Sequence, residues 1–435
     1  MVASLPVAGN AQDLWQQSTL TSDWGRLRTG LENAGVSIGL QQQSELWGNA
    51  MGGLSRGGAA DGLLTASLAI DLDKAVGWKG GSLFANGFQI EGVGPTPLRV
   101  GALQLVSSIE ATESTKLFDL WFEQQLFGGK FSLRFGQEGV DDELGLSQYG
   151  ALFINSSFGI PPVASLNQPS GGPAYPLATP FVRARYRPSG EITLIGAVYN
   201  GDPAPPGAGD PQLRDRHGTA FRLNDHTLSL AELWYSPKLL SSLGMPATYK
   251  IGAWVATGSF ADRLRDTEGL SLANPASTGL PLQHATDHAF YAIIDQTLWK
   301  TPDTGAQEVD IFWEGMLAPS DRNLSNLFLD GGVSWKGPIA GRADDVAGLA
   351  FTFAGIGANA RDFSKDVVFY SGAGAPYDRG ETVLEATYRA TLAPWLDVQP
   401  DIQYVFNPGA AIPTAQSPRP LKNDLIFGVR VTVNF

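Results

Sequence analysis

Three arginines alternate along one short stretch of the chain. In Pro180–Pro188, Arg183, Arg185 and Arg187 are each separated by a single residue. In an extended strand this spacing places all three side chains on one face, roughly 7 Å apart. Like charges this close destabilise the folded state unless carboxylates or water compensate them. The pattern therefore predicts acidic partners elsewhere in the chain.

Carboxylates that could serve as partners occur on the polar faces of other predicted strands: Glu123, Asp119, Glu385 and Asp401. Arg134 and Arg389 extend the basic side, and Trp121 adds a flat aromatic ring. Oriented donors and acceptors beside an aromatic ring are what a pyranose requires for recognition. If these strands enclose a water-filled interior, its general polarity explains any one of these residues equally well. As a set, however, they favour a path for sugars.

The segments that carry these residues show a period of two. In Asp424–Phe435 one face is apolar and the other, with Arg430 and Thr432, is polar, which is typical of a strand. The apolar face, predicted to contact lipid, consists of Leu425, Phe427, Val429, Val431, Val433 and Phe435. Similar segments predict about sixteen strands, near 36–47, 62–73, 80–91, 116–127, 130–138, 180–188, 190–199, 227–236, 247–257, 288–299, 307–317, 327–336, 346–356, 381–392, 396–406 and 424–434.

Short and long connections alternate between these predicted strands. Short turns at 128–129, 188–190 and 393–395 contrast with long segments such as 139–179 and 258–287. A soluble β-sandwich has no reason to place its long loops at alternate connections, whereas an outer-membrane barrel does. Aromatic residues near strand ends also fit the girdles of such a barrel. The sequence therefore predicts an all-β, antiparallel transmembrane barrel, and a β-sandwich with these aromatic residues in its core remains the alternative.

Composition narrows the class of protein further. The chain has 435 residues, of which 43% are hydrophobic and 17% charged, with a net charge of −13 and no cysteine. The acidic balance argues against nucleic acid as a partner, and the lack of cysteine excludes disulfides and thiolate metal sites. The chain contains no run of about 18 apolar residues, so no transmembrane helix is predicted.

The chain divides into three predicted parts. Residues 1–21 are interpreted as a leader remnant or linker, and 22–35 as an amphipathic periplasmic helix with Trp24, Leu27 and Leu31 on one face. Residues 36–435 form the barrel. The segment 139–179 is long enough to be a functional loop that folds inward and narrows the lumen, and its candidate residues are Phe153, Asn155, Phe158 and Tyr175.

Ordered short motifs resemble the OprB-type carbohydrate-selective porins of Gram-negative outer membranes. They include Asp23–Leu31, Gly77–Gly81, Leu133–Gln137, Phe153–Pro161 and Gly172–Pro176, followed by Pro394–Trp395, Gln399–Asp401, Asn407–Gly409 and Gly428–Arg430. The resemblance implies a sixteen-stranded barrel, a periplasmic N-terminal helix, loops that narrow the lumen, and passive uptake of sugars. It also implies that Phe435 is the aromatic end that the outer-membrane assembly machinery recognises.

Other motifs carry little chemistry. Gly355–Ala360 resembles a dinucleotide-binding loop, but no βαβ unit surrounds it. His284 and His288 lack the helix that a zinc pair would need, so no metal site is predicted. The acidic run 141–143 is interpreted as solvated loop charge. No cofactor is expected, although a loop-bound divalent cation stays possible.

Three functions remain open at this point. The first is a channel for sugar-selective diffusion of mono- and small oligosaccharides, the second a general or anion-preferring porin, and the third a β-rich carbohydrate-binding or hydrolytic protein. The expected partners are small sugars, outer-membrane lipid with lipopolysaccharide, and the assembly machinery. The chain could be a monomer or a homotrimer.

Overall fold

The computed structural model describes residues 14–302, 306–414 and 418–435. Most of the predicted leader or linker, residues 1–13, lies outside these described residues.

Sixteen antiparallel strands close into one barrel, because each strand pairs with its neighbours in sequence and the first pairs with the last. This confirms the predicted fold class. The strands are β1 (Val36–Met51), β2 (Gly57–Asp71), β3 (Gly81–Val93), β4 (Ser114–Leu126), β5 (Phe131–Glu138), β6 (Thr179–Tyr186), β7 (Ile192–Asn200), β8 (Thr227–Tyr235), β9 (Ala247–Asp266), β10 (Pro281–Lys300), β11 (Glu308–Leu317), β12 (Ser325–Lys336), β13 (Val346–Ile356), β14 (Gly380–Ala393), β15 (Leu396–Phe406) and β16 (Asp424–Asn434).

Helices are few and lie in the connections. The α-helices are α1 (Leu27–Asn33), α2 (Leu72–Val76), α3 (Pro162–Ser165), α4 (Pro211–Arg214), α5 (Lys238–Ser242) and α6 (Ala358–Ser371). Short 3-10 turns occur at Trp24–Arg26, Val140–Asp142, Gly150–Leu152, Ser156–Phe158, Pro169–Gly171 and Pro408–Ala411, and a π turn at Thr96–Val100. None of the described helices is long and apolar enough to span a membrane.

The predicted N-terminal helix is present as α1 with the turn before it. Asp23 Oδ1 accepts hydrogen bonds from the backbone N–H and the hydroxyl of Thr29. Gly35 ends the segment with φ +83°, and a Cβ there would lie 2.6 Å from the backbone oxygen of Asp71. Only glycine fits this close approach, which leads the chain into β1.

The connections differ between the two ends of the barrel. The short-turn end carries connections such as 127–130 and 394–395, whereas the opposite, long-loop end carries L2 (94–113), L3 (139–178), L4 (201–226) and L7 (357–379). The predicted loop 258–287 was too long. The strands β9 and β10 extend beyond the segments with an apolar outer face and leave only 267–280 as loop. In this extension the inward face of β9 mixes the apolar Phe260 and Leu264 with the acidic Asp262 and Asp266, so no separation into an apolar and a polar face marks the strand in the sequence.

A β-bulge in β4 changes which side chains face the lumen. The pairing of β3 with β4 shifts between Ala85 and Gly87, opposite Phe118 and Asp119. Lys116 and Phe118 face inward on one side of the bulge, and Asp119 and Glu123 face inward on the other. With an uninterrupted period of two, the sequence of 116–127 predicts that Phe118 lies on the lipid side, opposite to the face of Asp119 and Glu123. This prediction is wrong because the bulge breaks the alternation.

One part of the inner barrel wall is apolar rather than polar. Leu228, Leu230 and Trp254 are buried and face inward beneath L3, where they pack against Leu144 and Val163 of that loop. In the sequence of 227–236, Glu232 does not fit a strand with one apolar and one polar face, and the cover by L3 explains why. The inward face of that strand carries both leucines and the glutamate, since L3 covers it.

Candidate functional site

Glu123 on β4 binds three arginines from two neighbouring strands. Its carboxylate lies 2.8 Å from Arg134 Nη2, 3.3 Å from Arg183 Nη2 and 3.2 Å from Arg185 Nη2. The strand register produces this cluster, because Glu123 lies directly opposite Arg134 on β5, and Arg134 lies opposite Arg183 on β6. The predicted pairing of these arginines with Glu123 is therefore present.

Glu143 of L3 is a second acidic partner that the sequence did not reveal. Its carboxylate lies 2.7 Å from Arg183 Nε and 2.8 Å from Arg185 Nη1. The interpretation of residues 141–143 as solvated loop charges is therefore wrong for Glu143. Glu138 adds a third carboxylate, 3.0 Å from Arg134 Nη1. The Arg–Glu cluster, as we name these three arginines and three glutamates, is formally neutral.

The arginines of the cluster differ in their access to the lumen. The side chain of Arg183 is 0% exposed and also donates to Ser132 Oγ at 2.7 Å, whereas those of Arg185 and Arg134 are 17% and 14% exposed. A fully buried guanidinium can only support the cluster. Arg185 and Arg134 are therefore the members that can contact a solute.

Trp121 is held between residues of two adjacent strands. The guanidinium carbon of Arg134 lies 4.1 Å from the centroid of its ring, and the ring of Phe84 on β3 stacks against it at 5.2 Å and 27°. Because Phe84 and Arg134 belong to the strands on either side of β4, both faces of the indole are engaged. Trp121 therefore orients Arg134. The sequence had instead suggested an open aromatic ring on which a sugar could stack.

Two of the residues predicted for the sugar path lie apart from the Arg–Glu cluster. Arg187 follows the end of β6, is exposed, and donates its backbone N–H to Lys130 at the short-turn end. It is outside the arginine ladder because β6 ends at Tyr186 and the chain turns there. Asp119 is buried and accepts a hydrogen bond from Asn86 at 2.6 Å, so it does not act as the predicted counter-charge.

Glu385 and Arg389 belong to the opposite wall. They lie on β14, eight strands from β6 around the barrel. Glu385 accepts hydrogen bonds from the backbone N–H groups of Ile154 and Asn155 in L3, at 2.6 and 3.0 Å. The expectation that Glu385 and Asp401 balance the arginines was therefore wrong. Asp401 instead accepts a hydrogen bond from Gln403 at 3.0 Å.

The candidate residues of L3 fix the loop inside the barrel. Phe153 and Phe158 are buried against Phe312 of β11, with ring centroids 5.6 and 5.9 Å away. Asn155 donates to Gln403 of β15 at 3.0 Å. Tyr175 packs on Phe88 and donates to the backbone oxygen of Ile109 at 2.8 Å. L3 thus folds inward as predicted, but these four residues anchor it.

L2 also folds into the lumen, whereas the sequence singled out only 139–179 as an inward loop. Glu381 accepts hydrogen bonds from the backbone N–H groups of Leu103 and Gln104. Inside L2, Glu110 accepts from Thr96 and Ser107, and burial raises the pKa of Glu110 to about 7 although these hydrogen bonds oppose the shift. No sequence pattern distinguishes these loop residues from ordinary surface polarity.

A second ion pair lines the wall beneath L2. Arg430 of β16 lies 2.5 Å from Glu45 of β1 and donates to Ser108 of L2 at 3.0 Å. This agrees with the predicted inward position of Arg430. Across the described residues, no group of three or more acidic or histidine side chains is arranged to hold a metal ion.

A closed sixteen-stranded barrel with a lumen narrowed by two inward loops and a charged cluster defines a porin. Residues 55–435 match the family described as carbohydrate-selective porin, OprB family. The chain belongs to this family, which confirms the resemblance seen in the sequence and places the protein in the Gram-negative outer membrane.

Similar proteins agree with this assignment. Porin B of Pseudomonas aeruginosa is 21% identical over 434 residues, covering 96% of this chain and 91% of that protein. A putative porin, QuiX, of Acinetobacter baylyi is 22% identical and covers 92% of this chain and 91% of that protein. The high-pH structure of Pseudomonas putida OprB has a TM-score of 0.85 at 19% identity, covering 97% of this chain and 99% of the other. This likeness concerns the fold.

Proposed function

We propose that this porin lets monosaccharides and small oligosaccharides diffuse passively into the periplasm along a path past the Arg–Glu cluster. The observation that supports the proposal most directly is the partial exposure of Arg185 and Arg134 within a formally neutral cluster at the inner wall. The OprB family defines a sugar-selective porin, and the residues named here are our assignment of the path.

The chemistry of the cluster suits hydroxyl groups. A sugar that enters a narrowed lumen loses part of its water and needs both donors and acceptors in return. Guanidinium edges donate and carboxylate oxygens accept, and charge-assisted hydrogen bonds of this kind are stronger than neutral ones. Because the arginines already bind glutamates, a passing sugar exchanges with existing contacts and is held weakly, which permits flux.

Charge balance favours this function over an anion-preferring porin. Three arginines at a constriction would attract anions if they stood alone, but Glu123, Glu138 and Glu143 compensate them within 3.5 Å. The general-porin alternative predicts large permeability without saturation. The hydrolytic alternative needs a carboxyl pair flanking a cleft, whereas the carboxylates of this cluster are already bound to arginine.

Liposome swelling with a panel of mono- and disaccharides tests the proposal. We expect swelling rates that depend on the identity of the sugar rather than on its size alone. Sugar-dependent block of single-channel current, saturating in the millimolar range, should accompany this dependence. Rates that follow molecular size alone, together with strong anion selectivity, would instead support a general porin. The same purified sample, sized in detergent, would show whether the porin is a monomer or a homotrimer.

A further inference from the structure

A cavity at the short-turn end of the barrel adjoins the Arg–Glu cluster. It has a volume of about 520 Å³ and is lined by Phe84 and Trp121, by Ser37, Ser82 and Gln125 of β1, β3 and β4, and by Glu32 of α1. This volume falls within the range of roughly 300–1,000 Å³ typical of small-molecule sites. The cavity therefore has room for a monosaccharide.

The aromatic side of the cavity is built by a stacked pair. Phe84 covers one face of Trp121, whose other face supports Arg134 of the cluster. Phe84 itself lines the cavity and is half-buried. Since Trp121 is covered on both faces, Phe84 is the ring of this pair that can present a flat apolar surface to a solute.

The polar side of the cavity carries free hydrogen-bonding groups. In the part of the chain that the structure describes, the side chains of Ser37, Ser82, Gln125 and Glu32 make no hydrogen bond to another protein group, and they come from four different elements. A half-buried ring beside unpaired hydroxyl, amide and carboxylate groups combines an apolar face with donors and acceptors. A pyranose has the complementary surface, with C–H groups on one face and hydroxyls around its edge.

We infer that this cavity is a second carbohydrate subsite, on the periplasmic side of the constriction, with Phe84 as its aromatic platform. The inference rests on the proposed sugar path and extends it. Along β4, Glu123 of the cluster is followed by Gln125 at the short-turn end, so a sugar leaving the cluster meets the cavity next. Two adjacent weak sites let one solute leave as another arrives, which sustains flux.

Single-channel recording with glucose added to one side at a time tests the subsite. Phe84→Leu keeps apolar volume against Trp121 but removes the aromatic face, and Phe84→Trp retains an aromatic face. We expect Phe84→Leu to lower the rate of glucose block from the periplasmic side by about two- to tenfold, the range for loss of one aromatic contact. Phe84→Trp should stay close to wild type, and unchanged heat-modifiable mobility in gels would show that both variants fold.

The outcomes separate this inference from the proposed function. If the wild-type channel shows no glucose block from either side, the proposed sugar path fails. If wild type is blocked and Arg185→Ala weakens the block while Phe84→Leu matches wild type from both sides, the path stands and the subsite is overturned. A crystal soaked in glucose gives a further measurement, and density over Phe84 would support the subsite, whereas density only at the Arg–Glu cluster would contradict it.

Discussion

Glu385 Oε1 accepts a hydrogen bond of 2.6 Å from the backbone N–H of Ile154, and this bond joins the far wall of the barrel to the loop that narrows its lumen. The other carboxylate oxygen accepts from Asn155. A carboxylate that is 0% exposed and accepts from two consecutive loop amides acts as an anchor, because buried amides need a hydrogen-bond partner from the protein. The width of the pore therefore depends on a residue remote from the Arg–Glu cluster.

The first prediction concerns this anchor. Glu385→Ala should leave the amides of Ile154 and Asn155 without partners, at a cost of about 2–5 kcal/mol. We expect L3 to loosen locally, since Ser147 and Tyr149 still bind Asp295 and Thr297. Single-channel conductance and open-channel noise should both rise.

Glu91→Gln is a suitable control for the anchor, because Glu91 is an exposed acid on β3, outside the contacts of L3. It should conduct like wild type. A Glu385→Ala channel with wild-type conductance and noise would show that L3 does not depend on this carboxylate.

The second prediction concerns the cluster. Arg185→Ala should weaken sugar block of ion current by roughly tenfold, the equivalent of one charge-assisted hydrogen bond, and should keep or raise conductance as the lumen widens. Glu123 and Glu143 retain Arg183 as a partner, so the fold should persist. Dissociation constants from current block provide the measurement.

Arg187→Ala is the matched control, because it removes an arginine two residues away whose side chain lies outside the cluster. Its sugar block should equal that of wild type. If the sugar block of Arg185→Ala equals that of wild type, sugars follow another route and the cluster only stabilises the barrel. Glu123→Ala is expected to weaken the block too, but it leaves Arg134 and Arg183 partly uncompensated and is therefore a harsher change.

The third prediction concerns the orientation of β16. Val429 lies opposite Leu46 of β1 on the outward face, while Arg430 faces the lumen. Val429→Arg should destabilise the inserted barrel by roughly 2–4 kcal/mol if the residue lies near the bilayer midplane. Thr432→Arg, on the lumen side of the same strand, should be tolerated far better. Urea titration of both variants in lipid vesicles measures the difference, and equal stability of Val429→Arg and wild type would refute the lipid-facing assignment.

The period of two, together with the alternation of short and long connections, predicted the barrel and the meeting of Arg185 with Glu123. Strand pairing follows sequence order here, so alternation alone places inward residues of neighbouring strands side by side. The same reasoning missed Glu143, because a loop has no period that fixes the direction of its side chains. It also placed Phe118 on the wrong face, since a single bulge reverses the alternation.

Glu385 shows a further limit of prediction from sequence. Its inward direction was foreseen, but its partner was not, because the fold of L3 brings residues about 230 positions apart in sequence into contact. An inward acid can bind an arginine, a loop amide or a solute, and only the loop conformation decides among them. The apolar inner face of β8 has the same origin, since L3 covers it.

The last prediction concerns assembly through Phe435. Its backbone N–H donates to Leu40 of β1 at 2.9 Å, and its backbone oxygen accepts from Arg28 Nη2 at 2.6 Å. Phe435→Ala keeps both backbone contacts and removes only the aromatic side chain that we propose the assembly machinery recognises. We therefore expect less barrel in the outer membrane of cells, but near-normal stability once the variant is refolded in detergent.

Arg28→Ala serves as the control, because it removes the contact of the N-terminal segment and leaves the aromatic end intact, so its level in the membrane should remain close to wild type. Quantitative immunoblots of outer-membrane fractions, together with urea unfolding of the refolded proteins, separate the two effects. If Phe435→Ala reaches wild-type levels in cells, the terminal ring has no part in assembly, and if it also unfolds at lower urea, its role is structural.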